Sequence, residues 1–313
     1  MAFVDDSDRP APAADRVRAD TRESYRRRIE RAVALIECAI VHGEEPPELS
    51  RLAEAAAFSP YHFHRIYRAM TGETSGQTVA RLRLLQSLRL LAGAAGSITD
   101  TALAVGYQTP QAFSRAFRQG LGGTPSELRA EPERLRREIE RLARPPGAAD
   151  SGAPLQVEVV DVDPVQVLAL RVNGGYPQQN HGYVRLFGWA AERERMEQLC
   201  GLYGVPWDDR RDVPAPDCAF DCMIALDAPF EVDGDEFRRE ILGGGRYARL
   251  RHVGPFDGLE ALTDALLAQW LPDSGERLRD APLHHHYLDD PDETPAALLR
   301  TDIFLPLRDR EVA

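Results

Sequence analysis

The chain has 313 residues, 43% hydrophobic and 28% charged. That composition excludes a disordered chain, and the length favours two domains over one. No apolar run approaches the roughly 18 residues of a membrane span, residues 1–20 lack the regions of a secretory leader, and the net charge of −12 is unevenly spread. Residues 1–150 hold 22 Arg against 20 Asp and Glu, net +2, and residues 151–313 hold 16 against 30, net −14. Within 51–129 there are 9 Arg and 4 acids, so a basic core sits inside the first half, and every basic residue is Arg. Arg suits bidentate contacts to phosphate and guanine. Cysteines 38, 200, 218 and 222 form no CxxC pair, which fits reduced thiols in the cytoplasm and disfavours a disulfide scaffold or zinc finger.

In chain order, residues 1–20 are acidic and Pro/Ala-rich and are expected to be disordered. Residues 21–143 read as helical throughout. The Arg-rich run at 26–31 reads as the solvated face of a leading helix. Residues 144–154, rich in Pro, Gly and Ala, read as a linker. Residues 155–308 alternate strand-like and helical runs. The expected fold class is therefore multidomain, an all-α domain followed by an α+β domain.

The helical part contains an internal repeat. Ala53-Glu54-Ala55 and Phe58 correspond to Ala102-Leu103-Ala104 and Tyr107 at an offset of 49 residues. Phe63, Arg65, Tyr67, Arg68 and Gly72 correspond to Phe113, Arg115, Phe117, Arg118 and Gly122 at an offset of 50. The additional residue falls in the turn of the second copy, where insertions are tolerated. Each copy reads as helix, tight turn, helix, with Ser59 and Thr109 as N-caps and Gly106 free to take positive φ. Phe63, Ile66 and Tyr67 should face inward, as should Phe113, Ala116 and Phe117. That puts Tyr61, His62, His64, Arg65 and Arg68 outward in copy one, and Gln111, Ala112, Ser114, Arg115 and Arg118 outward in copy two. Between the copies, Thr74 to Gly93 reads as a single helix. Its roughly 30 Å length is close to the 34–36 Å between successive major grooves. Two Arg-bearing helices set one DNA turn apart suit a double helix-turn-helix reader, whereas a plain bundle would need Arg in both copies only as solvated charge. Thr124-Pro125-Ser126-Glu127 reads as a capping box.

Residues from about Tyr25 to Arg129 resemble the AraC/XylS family of transcription regulators. The match is carried by Phe58-Ser59-Pro60-Tyr61, Gly106-Tyr107, Phe113-Ser114-Arg115-Ala116-Phe117 and Gly122-Gly123-Thr124-Pro125. The resemblance implies that Tyr61, His64 and Arg65 face bases in the first reader and Gln111, Ala112 and Arg115 in the second. Ala57 stands where the family usually has Gly. Double-stranded DNA and RNA polymerase are the implied macromolecular partners.

After the linker, two units each run strand, glycine turn, aromatic, helix. One is Val165–Val172, Gly174-Gly175-Tyr176 and a helix from about Tyr183 to Leu202. The other is Arg246–Val253, Gly254-Pro255-Phe256 and a helix from about Leu259 to Leu271. Strands at Ala219–Leu226 and Thr301–Leu305 would follow, forming two strand-helix-strand repeats on one sheet. The segment resembles the GyrI-like effector-binding domain, also found in Rob-like multidrug-responsive regulators. The carrying runs include Asp221-Cys222-Met223-Ile224, Arg251-His252-Val253-Gly254-Pro255-Phe256 and Tyr287-Leu288-Asp289-Asp290-Pro291. The resemblance implies a cleft for flat apolar, often cationic, small molecules. Neither a membrane partner nor a cofactor is expected.

The family often has Glu where this chain has His285, inside His284-His285-His286; a neutral His holds a cation less well than a carboxylate, which points to a neutral or anionic ligand unless Asp221 supplies the charge. The expected pocket residues are Tyr176, Trp207, Asp221, His285 and Tyr287. His284 and His286 share a strand face and form a possible metal pair lacking an evident third ligand, and Cys218 and Cys222 form a possible redox pair. The competing readings are a small-molecule hydrolase and a drug-sequestering module. No Ser/His/Asp elbow, HExxH or P-loop is present, so no catalytic residue is assigned.

Overall fold

The computed structural model describes residues 13–93, 97–147 and 154–309. Most of the expected linker, 148–153, and the first twelve residues lie outside them. The first helix, α1 (Ala13–Val41), already covers the second part of the expected disordered segment. It is followed by α2 (Leu49–Ala55), α3 (Pro60–Thr71), α4 (Ser75–Ala92), α5 (Ile98–Ala104), α6 (Pro110–Leu121), α7 (Pro125–Ala130) and α8 (Pro132–Leu142). The two helix-turn-helix copies are α2–α3 and α5–α6. The connecting helix α4 opens with a capping box between Thr74 and Gln77. It buries Leu82, Leu84, Leu85, Leu88 and Leu91 and packs on α3, α5 and α6, as a spacer between two readers must.

The two turns solve one backbone problem differently. Gly106 sits at φ +83 in copy two, and in copy one Ala57 takes φ +52, a conformation unfavourable for a residue with a Cβ. Arg28 braces that turn. It donates from Nε to the Ala56 carbonyl at 2.8 Å and from Nη2 to that of Ala57, and its guanidinium lies 3.6 Å from the Phe58 ring centroid. Arg31 donates to the Ala55 carbonyl at 2.9 Å. The 26–31 run is thus only partly a solvated face, as Arg26 and Arg27 are, paired with Glu23 and Glu30. Ser59 occupies the N-cap of α3, but its side chain makes no capping bond and its Oγ is buried without a partner.

The second part is one antiparallel sheet of eight strands. The strands are β1 (Val157–Val162), β2 (Val165–Asn173), β3 (Leu199–Pro206), β4 (Ala219–Leu226), β5 (Arg238–Leu242), β6 (Gly245–Val253), β7 (His284–Tyr287) and β8 (Arg300–Pro306). Their order is β1-β6-β8-β7-β3-β4-β2-β5. Each repeat is strand-strand-helix-strand-strand, and its first strand pairs with the other repeat: β1 with β6 and β5 with β2. A pseudo-twofold axis therefore runs between β3 and β7. Helix α9 (Tyr176–Glu192) lies close on the sheet, because a Cβ at Gly182 would sit 2.8 Å from the Cys222 sulfur. In the second repeat α10 (Leu259–Ala265) continues through a π-helical turn (Leu266–Trp270) into α11 (Leu271–Ser274).

The helix expected over Tyr183–Leu202 instead starts at Tyr176 and ends at Glu192. Glu194 takes φ +56, and Leu199 and Leu202 belong to β3. Their spacing of three continued the helical stripe of Tyr183 and Leu186, which is why the strand was not legible.

A single buried apolar cluster joins the two parts, running from Tyr25, Ile29 and Ile36 to Leu266, Leu271 and Leu307. Helix α1 packs on α11, and α3 packs on α10 and the π-helical turn.

Candidate nucleic-acid and effector sites

The second reader is presented openly. Thr109 caps α6 by accepting from the Ala112 N–H at 3.2 Å, Pro110 starts the helix and Gly122 ends it at φ +65. Phe113 and Phe117 are fully buried, edge to face at 5.3 Å, and fix the rotation of the helix. That rotation leaves Gln111, Ala112, Arg115 and Arg118 exposed. Among the described residues the side chains of Arg115 and Arg118 make no hydrogen bond or ion pair. The face offers two guanidinium groups and an amide, the donors that read guanine and adenine edges.

The first reader has the same rotation, with Phe63, Ile66 and Tyr67 buried, but its outer face is not open. Arg65, expected outward, is only 4% exposed and donates from one nitrogen to the Pro206 carbonyl at 2.8 Å and the Asp208 carbonyl at 3.1 Å. Arg68 ion-pairs with Asp212 at 2.6 Å. His62 Nε2 lies 3.0 Å from the Arg279 carbonyl, and the Tyr61 ring lies 5.3 Å from that of Trp207. Burial lowers the Arg65 pKa. Burial also pushes His62 down to about 4 and His64 to about 3, so both rings are neutral near pH 7. The reason for the difference lies in the second half of the chain. The stretch at 206–212, with three Asp and two Arg, is seated on α3. Within it Arg211 clamps Asp209 and Asp264, holding the Asp209 carboxyl well below the usual range despite its burial.

A cavity of about 100 Å³ lies over the pseudo-twofold axis, between α9 and α10. Its floor is Leu202, Phe220, His285 and Tyr287, and its walls include Tyr176, Tyr183, Phe256 and Arg65 of α3. Arg210 straps the rim, donating to the Tyr176 hydroxyl at 2.8 Å and to Glu260 at 2.9 Å, with its guanidinium 3.9 Å from the Tyr176 ring centroid. His285 is 7% exposed, its Nε2 has no partner, and burial pushes it down to about 3. Each lining carboxylate is engaged. Glu260 holds Arg210, Asp208 accepts from the Ala219 N–H at 2.8 Å, and Asp289 pairs with Arg300 at 2.7 Å.

Of the five expected pocket residues, Tyr176, His285 and Tyr287 line this cavity and two do not. Alternation along β4 sends Phe220, Cys222 and Ile224 toward α9 and Asp221 and Met223 to the opposite face. There Asp221 is fully buried and accepts from Arg171 at 2.7 and 2.8 Å and from Trp207 Nε1 at 2.6 Å. Burial opposes its ionisation, but these bonds outweigh it and hold the carboxyl low. It cannot supply charge to the cavity. Trp207 packs between Arg171 and Tyr61. His284 and His286 point to that same far face, stacked on Phe304 at 4.9 Å and Tyr203 at 4.4 Å. Cys218 and Cys222 are separate free thiols, with Cys222 raised by burial to about 12. Arg210, Glu260 and Tyr183 were not anticipated as pocket residues, because only the fold brings the 207–212 stretch, α9 and α10 together.

The helix-turn-helix domain family matches residues 52–131 and the GyrI-like small molecule binding domain family matches residues 155–308. The chain is similar to Regulatory protein SoxS of Salmonella typhimurium, 33% identical over 95 residues, 30% of this chain and 89% of that one. It is also similar to Right origin-binding protein of Escherichia coli, 33% identical over 92 residues, 29% of this chain and 32% of that one. Over 154 residues, 49% of this chain and 96% of that one, it is 28% identical to Probable transcriptional regulator YgiV of Escherichia coli. The molecule is of the class of DNA-binding regulators that carry an effector domain. The chain belongs to the AraC/XylS family of transcription regulators, with a GyrI-like domain as its second half.

Proposed function

We propose that the chain is a one-component regulator that reads its operator through Gln111, Ala112, Arg115 and Arg118 of α6. Its effector would be a flat, mainly apolar and uncharged small molecule held between α9 and α10. The observation that carries the DNA reading is the exposed, unpaired face of α6. The ligand reading rests on an aromatic cavity whose carboxylates are all engaged and whose one orphaned polar group is the neutral His285 ring. Those facts favour an uncharged ligand with one hydrogen-bonding group over a cation. They also speak against a hydrolase, since a His of such low basicity and carboxylates held by Arg or by a backbone N–H make poor general bases at neutral pH. RNA polymerase as the partner of the DNA-bound form, and a cytoplasmic location, follow from this reading; among the described residues no helix is long and apolar enough to cross a membrane. The test is fluorescence anisotropy on a labelled duplex from the protein's own upstream region. Arg115→Ala should cut the preference over a scrambled duplex by roughly 5–150-fold, and an unchanged preference would reject the reading.

A further inference from the structure

We propose that the stretch at 206–212 competes with DNA for the reading face of α3, so that the conformation described is a one-reader state. The inference rests on the reading of α6 and α3 as DNA readers and adds how one of them is regulated.

The repeat supplies an internal control. The same rotation, fixed by equivalent aromatic pairs, leaves Arg115 and Arg118 open on α6, whereas Arg65 and Arg68 on α3 are engaged. The occupant presents acceptors: two backbone carbonyls to Arg65 and the Asp212 carboxylate to Arg68. Phosphate oxygens and the guanine edge also present acceptors. A groove-bound duplex and this stretch cannot hold the same guanidinium groups at once. The charge division between the halves, net +5 over 51–129 against −14 over 151–313, favours the internal contact when DNA is absent.

Arg65 also ties this contact to the effector cavity. It is a wall of that cavity, whose volume of about 100 Å³ is well below the roughly 300–1,000 Å³ of drug-sized ligand sites. Withdrawal of α3 removes that wall. A ligand needing the larger space binds the released form better and shifts the population toward it.

The test uses the full-length chain and the upstream duplex, without an effector. Asp212→Arg places a like charge against Arg68 and should tighten operator binding by about tenfold. Adding Arg65→Ala to Asp212→Arg should remove that gain, because the gain comes from α3 reading DNA and not from the added charge. Asp212→Asn should give the same effect more weakly and covers misfolding of the Arg variant. The proposal is overturned if both Asp212 variants, folded by circular dichroism, bind no tighter than wild type. It is equally overturned if the gain survives Arg65→Ala. Arg115→Ala in the wild-type background separates the two levels. If it cuts preference while the Asp212 variants gain nothing, the DNA reading stands and the competition falls. If it does nothing, the reading itself fails and the competition with it.

Discussion

Arg65 and Arg115 occupy equivalent places in the repeat, and the structure predicts opposite consequences for their loss. Arg65→Ala removes two hydrogen bonds from a charged donor to half-buried carbonyls at 2.8 and 3.1 Å. Bonds of that kind contribute about 1.5–3 kcal/mol each, so a loss of about 3–6 kcal/mol is expected. For a chain this size that is a fall in Tm of about 5–10 °C. Arg115→Ala removes an exposed side chain with no partner, so stability should move by less than about 0.5 kcal/mol. Its cost should fall on operator discrimination, about 1–3 kcal/mol or roughly 5–150-fold. Thermal unfolding by circular dichroism reads the first effect, and anisotropy on operator and scrambled duplexes reads the second. If Arg65→Ala leaves Tm unchanged and costs as much DNA discrimination as Arg115→Ala, α3 is not docked in solution and the account of the interface is wrong.

Other expectations can be checked with the same assays. Ala57→Gly should stabilise by about 0.5–1 kcal/mol, since relief of the positive φ exceeds the added backbone freedom of Gly; a lower Tm would mean the Ala57 conformation is unstrained. Thr109→Ala should cost about 1 kcal/mol of stability through the lost N-cap, and an unchanged denaturation midpoint would refute the capping role. Buried His62, His64, His284 and His285 have folded pKa values of about 3 to 4 against 6.5 unfolded. The unfolded chain therefore gains protons first. Stability is full above pH 6.5 and falls as pH drops toward 4, at up to about 1.4 kcal/mol per pH unit for each ring. His285→Leu should flatten that slope without loss of stability at pH 7, because it also removes an orphaned polar atom; an unaltered slope would place His285 in water.

Much of the helical part was legible because its signals are local. The Phe63/Tyr67 and Phe113/Phe117 pairs set the rotation of both readers, and Thr109-Pro110 and Thr124-Glu127 are capping signals that operate within four residues. The 50-residue offset made the two copies visible side by side. What the offset could not show is that equivalent Arg residues meet different surroundings, since that depends on where a stretch some 140 residues later comes to rest. The pocket was partly legible for a related reason. Tyr176, His285 and Tyr287 follow from motif position, whereas the side of the sheet that Asp221 faces depends on the phase of alternation in β4, which its own apolar run conceals. Strand β5 and the edge exchange between repeats had no local signal at all, being decided by pairing across the sheet.

The account's central claim, a regulator reading DNA through α6 while α3 is held by the effector domain, is tested most directly by hydroxyl-radical footprinting of the full-length protein on its own upstream region. The account predicts a discrete protected site spanning one major groove, lost with Arg115→Ala. Absence of any protected site, or protection of two successive major grooves that persists in Arg115→Ala but not in Arg65→Ala, would contradict it.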